Sequence, residues 1–313
     1  MLPYSVLNLK DIVVICQEYG IQKPKSFSLL TGGSENTNYL IATSEEKFVL
    51  TICEQKTEQS ARELAFLLEH LKANEFKSSK LIRTKNNAPI SRWKGKPVML
   101  KMYLEGSITK TLPAHILETI GVHMGRLHQI KAPDYLPKEL NYGIASFDEV
   151  EHYASGSPFS LWLNEIQNYV QPFLSENLPK SLIHSDIFYS NVVVSVDGKS
   201  ASIMDFEEAA YYYRIFDLGM TLVGLGCEAQ TLHLGKAKAL LKGYQKEIVL
   251  SALEKCSLQA FTVYAAAAMT FWRHRNFNHI NRNPKMLDHY LELKFVADNV
   301  MHMPTQDFAE ILN

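Results

Sequence analysis

The sequence predicts an α+β fold of two unequal lobes, a small antiparallel-sheet lobe followed by a larger, mainly helical one. Three observations carry this expectation. Short apolar or alternating runs crowd the first hundred residues, and long runs with apolar residues at helical spacing dominate the rest. The third is size: 313 residues, 46% hydrophobic and 21% charged, are enough for two cores. Lys plus Arg number 32 against 33 Asp plus Glu, so global charge gives no reason to expect nucleic acid or an anionic membrane as partner. Cys16, Cys53, Cys227 and Cys256 are scattered without a C-x-x-C pair and read as apolar fillers in a reducing compartment.

Element by element, "MLPYSVLNLKDIVVICQEYG" interleaves Lys10, Asp11 and Glu18 with apolar residues, which makes an amphipathic helix and no signal peptide. "SFSLL", "TNYLIAT" and "KFVLTIC" read as strands separated by "TGGSEN" and "SEE". "EQSARELAFLLEHLKANEF" places Leu64, Leu67, Leu68 and Leu71 on one helical face. "KLIRT" and "KPVMLKMYL" resume the strands, with "KNNAPISRWKG" as a hairpin between them. Near "LEGS" the character changes, so the expected lobes are residues 1–103, which would take the nucleotide, and 104–313. Six helical runs follow, from "ILETIGVHMGRLHQI" to "KMLDHYLELKFVADNVM", and only "LIHSD", "NVVVSV" and "SASIMDF" look like strands. The apolar run "FTVYAAAAMTFW" is too short to span a bilayer and suits a buried helix. A cytoplasmic protein with a cleft between its lobes is expected.

The chemistry concentrates in "LIHSDIFYSN" and "IMDFEEA". Two short strands joined by "DGKS" place Asp186, Asn191 and Asp205 around one hairpin. Phosphoryl transfer needs such a set: a carboxylate to orient the attacking hydroxyl and take its proton, and an amide oxygen with a second carboxylate to hold magnesium against nucleotide phosphates. Asp186 fits the first role, and Asn191 with Asp205 the second. The spacing His-x-Asp-x-x-x-x-Asn matches the protein-kinase catalytic loop, with "DFE" where kinases carry "DFG". His184 and Asp217 fit a bracing role for this loop better than contact with substrate. In "TGGSENTN", Gly32, Gly33, Ser34 and Asn36 lie between two strands, where backbone N–H groups suit the phosphates of ATP. His123, His128, His274 and His279 lack metal-ligand spacing and read as packing and surface residues.

With "LIHSDIFYSN…IMDFEEA…FDLG" the chain resembles the aminoglycoside phosphotransferase and choline kinase superfamily, whose fold is a protein-kinase-like bilobe. Within it the likeness is to bacterial type II homoserine kinases, through "GGSENTNYLIAT…FVLTICE", "GKPVMLKMYLEGS", "VHMGRLH", "HSDIFYSN", "ALLKGYQ" and "AAAAMTFWRHR". The resemblance implies ATP and Mg2+ as cofactors and a hinge at Lys101 to Tyr103 whose backbone meets adenine. It also implies a small hydroxyl-bearing substrate, L-homoserine, phosphorylated on the route to threonine. Kinases of another amino alcohol or an aminoglycoside, and a nucleotide-binding pseudokinase, remain as alternatives, and monomer or homodimer is left open. Two departures matter. Thr51 stands where most kinases carry a strand-three cation, leaving the phosphate-binding charge unidentified. Glu207 follows "DF" where homoserine kinases usually carry an aromatic, and an extra carboxylate there suits an ammonium-bearing substrate. Between Lys255 and Leu287 there is no Asp or Glu, but Arg273, Arg275 and Arg282 are present. Arg275, at a helix end, is the expected partner of a substrate carboxylate.

Overall fold

The computed structural model describes residues 5–21, 24–30 and 36–312. The chain divides into two compact units, the first ending at Glu105 and the second beginning at Gly106.

The first unit opens with helix α1 (Leu9–Glu18), which Asn8 starts as a capping box with Asp11. Strands β1 (Ser26–Leu30), β2 (Asn36–Ala42) and β3 (Lys47–Cys53) follow, then helix α2 (Glu58–Ala73). Next come β4 (Leu81–Ile82), β5 (Ser91–Trp93) and β6 (Lys96–Met102). All pairings are antiparallel in the order β1-β2-β3-β6-β4, with β5 also on β6. "KLIRT" contributes only two strand residues, and the expected hairpin region itself supplies β5. One face of this sheet packs Tyr39, Ile41, Phe48, Leu50, Ile52, Val98 and Leu100 against Ile12, Ile15 and Cys16 of α1 and Tyr19 at its C-terminal end. Tyr19 fixes the helix in place, donating to Val98 O at 2.8 Å and accepting from Ser91 N at 3.1 Å.

In the second unit, α3 (Ala114–Leu127), α4 (Val150–Ala154) and α5 (Pro158–Val170) precede β7 (Lys180–Ile183). The hairpin β8 (Val192–Val194) and β9 (Ala201–Ile203) comes next, then β10 (Ala210–Tyr213) and helix α6 (Arg214–Gly226). The two-residue strands β11 (Cys227–Glu228) and β12 (Thr231–Leu232) lead to α7 (Leu234–Tyr244), α8 (Ala252–His274), a π-helical turn (Arg275–Ile280), α9 (Leu291–His302) and α10 (Thr305–Ala309). Strand β10 pairs with β7, a partnership that "AAYYYR" concealed between a loop and a helix. Residues 284–290 form turns rather than the first half of a helix.

Helix α8 is buried along most of its length between α6 and α9, which explains its run of alanines. Its start is a capping box of Ser251 and Glu254. The same Glu254 carboxylate takes Arg214, the first residue of α6, in a two-pronged ion pair at 2.6 and 2.9 Å. Helices α3 and α7 touch at glycines: a Cβ on Gly121 would collide with Leu240 O, and one on Gly243 with Glu118 O. No helix among the described residues is long and apolar enough to cross a membrane.

Candidate active site

The segment after β7 turns sharply and hands over to β8. Ser185 adopts φ +66°, a left-handed conformation that costs a non-glycine residue energy and has to be held by its surroundings. The holding group is Asp217, on the first turn of α6 and wholly buried. Its carboxylate accepts from the backbone N–H groups of His184 at 3.0 Å and Ser185 at 2.6 Å, and it meets His128 Nε2 at 3.0 Å. Burial works to raise the Asp217 pKa, but the His128 bond and the charge around it win and hold it below the usual carboxylate value. Tyr142 donates to Ser185 Oγ at 2.8 Å, and that hydroxyl in turn donates to Glu208 O at 2.6 Å.

Within the turn, His184 Nδ1 accepts from the Asp186 amide at 3.2 Å, which leaves Nε2 to donate to Met204 O at 2.9 Å. Burial lowers the His184 pKa, so the ring stays neutral and keeps this tautomer. The imidazole thereby ties the loop to the strand end that carries Asp205. Asn191 Nδ2 donates to both the carbonyl oxygen and Oδ2 of Asp186, at 2.8 and 2.9 Å. Both amide hydrogens are spent on Asp186, so the Oδ1 face is the one left to accept. The Asn191 carbonyl pairs with Met204 N at 2.9 Å, which puts Asp205 one residue past the ladder partner of Asn191. Asp205, exposed and at φ +69°, turns the chain away from the hairpin.

An amide oxygen beside a carboxylate is an oxygen-only donor pair, which suits a hard divalent cation. Among the described residues no group of three or more His, Cys, Asp or Glu could hold a metal alone. Asn191 and Asp205 would thus suit a hard divalent cation, with further ligands needed from outside this pair.

The other expected residues lie as follows. Gly32, Gly33 and Ser34 fall outside the described residues. Asn36 begins β2 and is half-buried. Lys101 is flanked by β3 and β4, and the N–H groups of Met102 and Tyr103 are bonded to Lys80 O at 2.8 Å and Lys47 O at 3.0 Å. Sheet bonding thus runs through the expected hinge as far as Tyr103. Glu207 is half-buried, two residues past Asp205. Arg275 is committed within the protein, donating to Glu149 at 2.8 Å and Asn141 O at 2.9 Å and lying over the Phe271 ring.

Two residues have partnerships around the loop that the sequence did not announce. His128, read there as packing, is the buried partner of Asp217. Arg273 donates to His289 O at 3.1 Å and Glu292 at 3.2 Å. Burial pushes its guanidinium pKa down, while the charge of Glu292 and, more weakly, that of Asp186 oppose this. Arg273 is thus the helix-end cation in electrostatic reach of Asp186. Its separation of 87 positions from Asp186 left no local signal.

Comparison with known proteins agrees with this geometry. Residues 26–276 match the phosphotransferase enzyme family. The homoserine kinase of Caulobacter vibrioides is 28% identical over 285 residues, covering 87% of this chain and 88% of that protein. That of Polaromonas naphthalenivorans is 30% identical over 268 residues, covering 82% and 83%. An amicoumacin kinase solved with AMP-PNP and Ca2+ superposes with TM-score 0.71 at 14% identity, covering 91% of this chain and 92% of that one. The fold is protein-kinase-like, as the family resemblance implied. With most of its length matched and the loop elements in order, the chain belongs to the phosphotransferase enzyme family and transfers a phosphoryl group to a hydroxyl.

Proposed function

We propose that the chain is an ATP- and magnesium-dependent kinase that phosphorylates the hydroxyl of L-homoserine to give O-phosphohomoserine. The observation that carries the reading is the Asp186–Asn191 pair with Asp205 beside it on one hairpin. In this reading the Asp186 carboxylate orients the substrate hydroxyl and takes its proton as the oxygen attacks the terminal phosphorus of ATP. Asn191 holds that carboxylate in one rotamer through Nδ2 and offers Oδ1 to the metal together with Asp205. The metal, when bound, neutralises the charge that develops on the phosphate oxygens. Asp217, His184 and Tyr142 keep the turn in its strained form without touching substrate.

The homoserine kinases among the relatives support the amino-acid substrate. Arg275 was the expected carboxylate partner, but it already has Glu149 and Asn141 O to satisfy it. Arg273 is engaged in the same way, by Glu292 and His289 O, but through longer bonds, and its charge also acts on Asp186, so it stands beside Arg275 as a candidate. A second reading, an amino alcohol without a carboxylate as substrate, is favoured by Glu207 and Glu208 next to Asp205. Coupled ADP release with homoserine, choline, ethanolamine and kanamycin, each with and without EDTA, separates the two. Homoserine is expected to give the highest kcat/KM, and EDTA to abolish every rate. Preference for an uncarboxylated alcohol would overturn homoserine, and turnover in metal-free buffer would overturn the roles of Asn191 and Asp205.

A further inference from the structure

The sheet of the first unit has two faces, and only one remains for a ligand. Helix α1 covers the face of Tyr39, Leu50 and Val98. By strand register the opposite face carries Asn36, Asn38 and Leu40 from β2, Val49, Thr51 and Cys53 from β3, and Met99 and Lys101 from β6. Helix α2 packs along β6 and β4, and Met99, Cys53 and Thr51 are buried. Asn36, Asn38, Leu40 and Val49 stay half-buried.

On this face Thr51 Oγ1 donates to Asn38 Oδ1 at 2.7 Å. Thr51 is only 2% exposed, so its hydroxyl is a fixed anchor. The bond commits the amide oxygen and turns the Asn38 Nδ2 hydrogens away from Thr51. Cations on the sheet are placed elsewhere. Lys96 faces the α1 side and is held by Glu54 at 2.5 Å, and Lys47 pairs with Glu105 at 3.0 Å. Lys101 lies one row nearer the Tyr103 end, beside Val49. A lysine at position 51 would also need a carboxylate from α2, and Glu63 there is bonded to Gln59 at 2.7 Å.

We propose that Asn38, oriented by Thr51, is a phosphate-positioning residue that donates Nδ2–H bonds to the nucleotide, in place of the missing strand-three cation. A pre-oriented amide suits the task because it needs no reorganisation when the anion arrives, and a bond to a charged acceptor is the stronger kind. Asn38 follows Gly32 and Gly33 by five or six residues, at the sheet end away from Tyr103. The inference rests on the ATP-dependent kinase reading above.

Calorimetric titration of ATP and of adenosine into wild type, Asn38→Asp and Thr51→Val tests it. Asn38→Asp swaps the donor for an anion with little change of volume. It is expected to weaken ATP by about tenfold or more and to leave adenosine within about twofold, since only ATP carries the acceptor. Thr51→Val, which frees the amide to rotate, is expected to weaken ATP by roughly three- to tenfold with adenosine again unchanged. ATP affinity within about twofold of wild type in Asn38→Asp would overturn the proposal. So would equal losses for ATP and adenosine, which mark a residue that only supports the sheet. Failure of the wild-type protein to bind ATP would instead overturn the kinase reading itself.

Discussion

Asp217 and Asp186 sit 31 positions apart and divide two tasks that single substitutions can separate. Asp217 is wholly buried and spends its oxygens on two backbone amides and His128. Asp186 is half-buried and engaged by Asn191. Asp186→Asn is therefore expected to lower kcat by roughly 10²–10⁴, with ATP affinity nearly unchanged, because base assistance acts on the chemical step. Asp217→Asn is expected to lose stability as well, since a neutral amide cannot replace the charge that holds two amides and an imidazole. Steady-state kinetics with urea unfolding of both variants measures the contrast. Near-wild-type kcat in Asp186→Asn would remove that residue from the mechanism.

At the scale of elements, the loop's position depends on how closely α6 approaches it. Gly224 lies on the α6 face that meets the loop, where a Cβ would collide with the carbonyl oxygen of Ile187, the residue after Asp186. Alanine in a helix is worth about 1 kcal/mol over glycine on propensity alone. Overpacking against backbone costs about 1–3 kcal/mol, and here the neighbour is a carbonyl inside the strained turn. Gly224→Ala is thus expected to destabilise the protein on balance and to lower kcat by shifting Asp186. A urea midpoint above that of wild type would show that the turn yields without cost. The hairpin of β8 and β9 is the complementary device, since its ladder sets Asn191 opposite Met204 and leaves Asp205 at the end of the strand.

For the molecule as a whole, acid is the vulnerable side. His274 stacks on Phe159 at 3.8 Å, meets the Tyr290 ring edge-on and has Tyr153 on a further side. Burial lowers its pKa from 6.5 to about 4. The unfolded chain therefore takes up this proton first as pH falls below about 6.5, and stability is lost progressively until about pH 4. Asp217, with its pKa depressed, contributes stability that is present above the ordinary carboxylate value and disappears only in stronger acid. Urea unfolding at pH 7 and pH 5 is expected to show a loss that His274→Phe reduces by about 1 kcal/mol, after allowance for solvent screening. An identical pH dependence in the variant would remove His274 from the balance.

The residues alone determined the run of strands followed by helices, though not β5 or β10, the amphipathic faces of α1 and α2, and the spacing of Asp186, Asn191 and Asp205. These are local properties: periodicity reports which face is buried, and a ten-residue loop followed by a hairpin fixes its own spacing. What only the tertiary structure decided are the partnerships across distance. His128 meets Asp217 across 89 positions, and Arg275 meets Glu149 across 126. That second pairing gives Arg275 a partner inside the protein, which its helix-end position did not announce. Thr51, read from the sequence only as a missing cation, bonds Asn38 across the strand register. The physical reason is the same in each case. A side chain's chemistry is set by the acceptor or charge within a few ångströms of it, and close packing of separate elements, through contacts such as that of Gly224, chooses that neighbour.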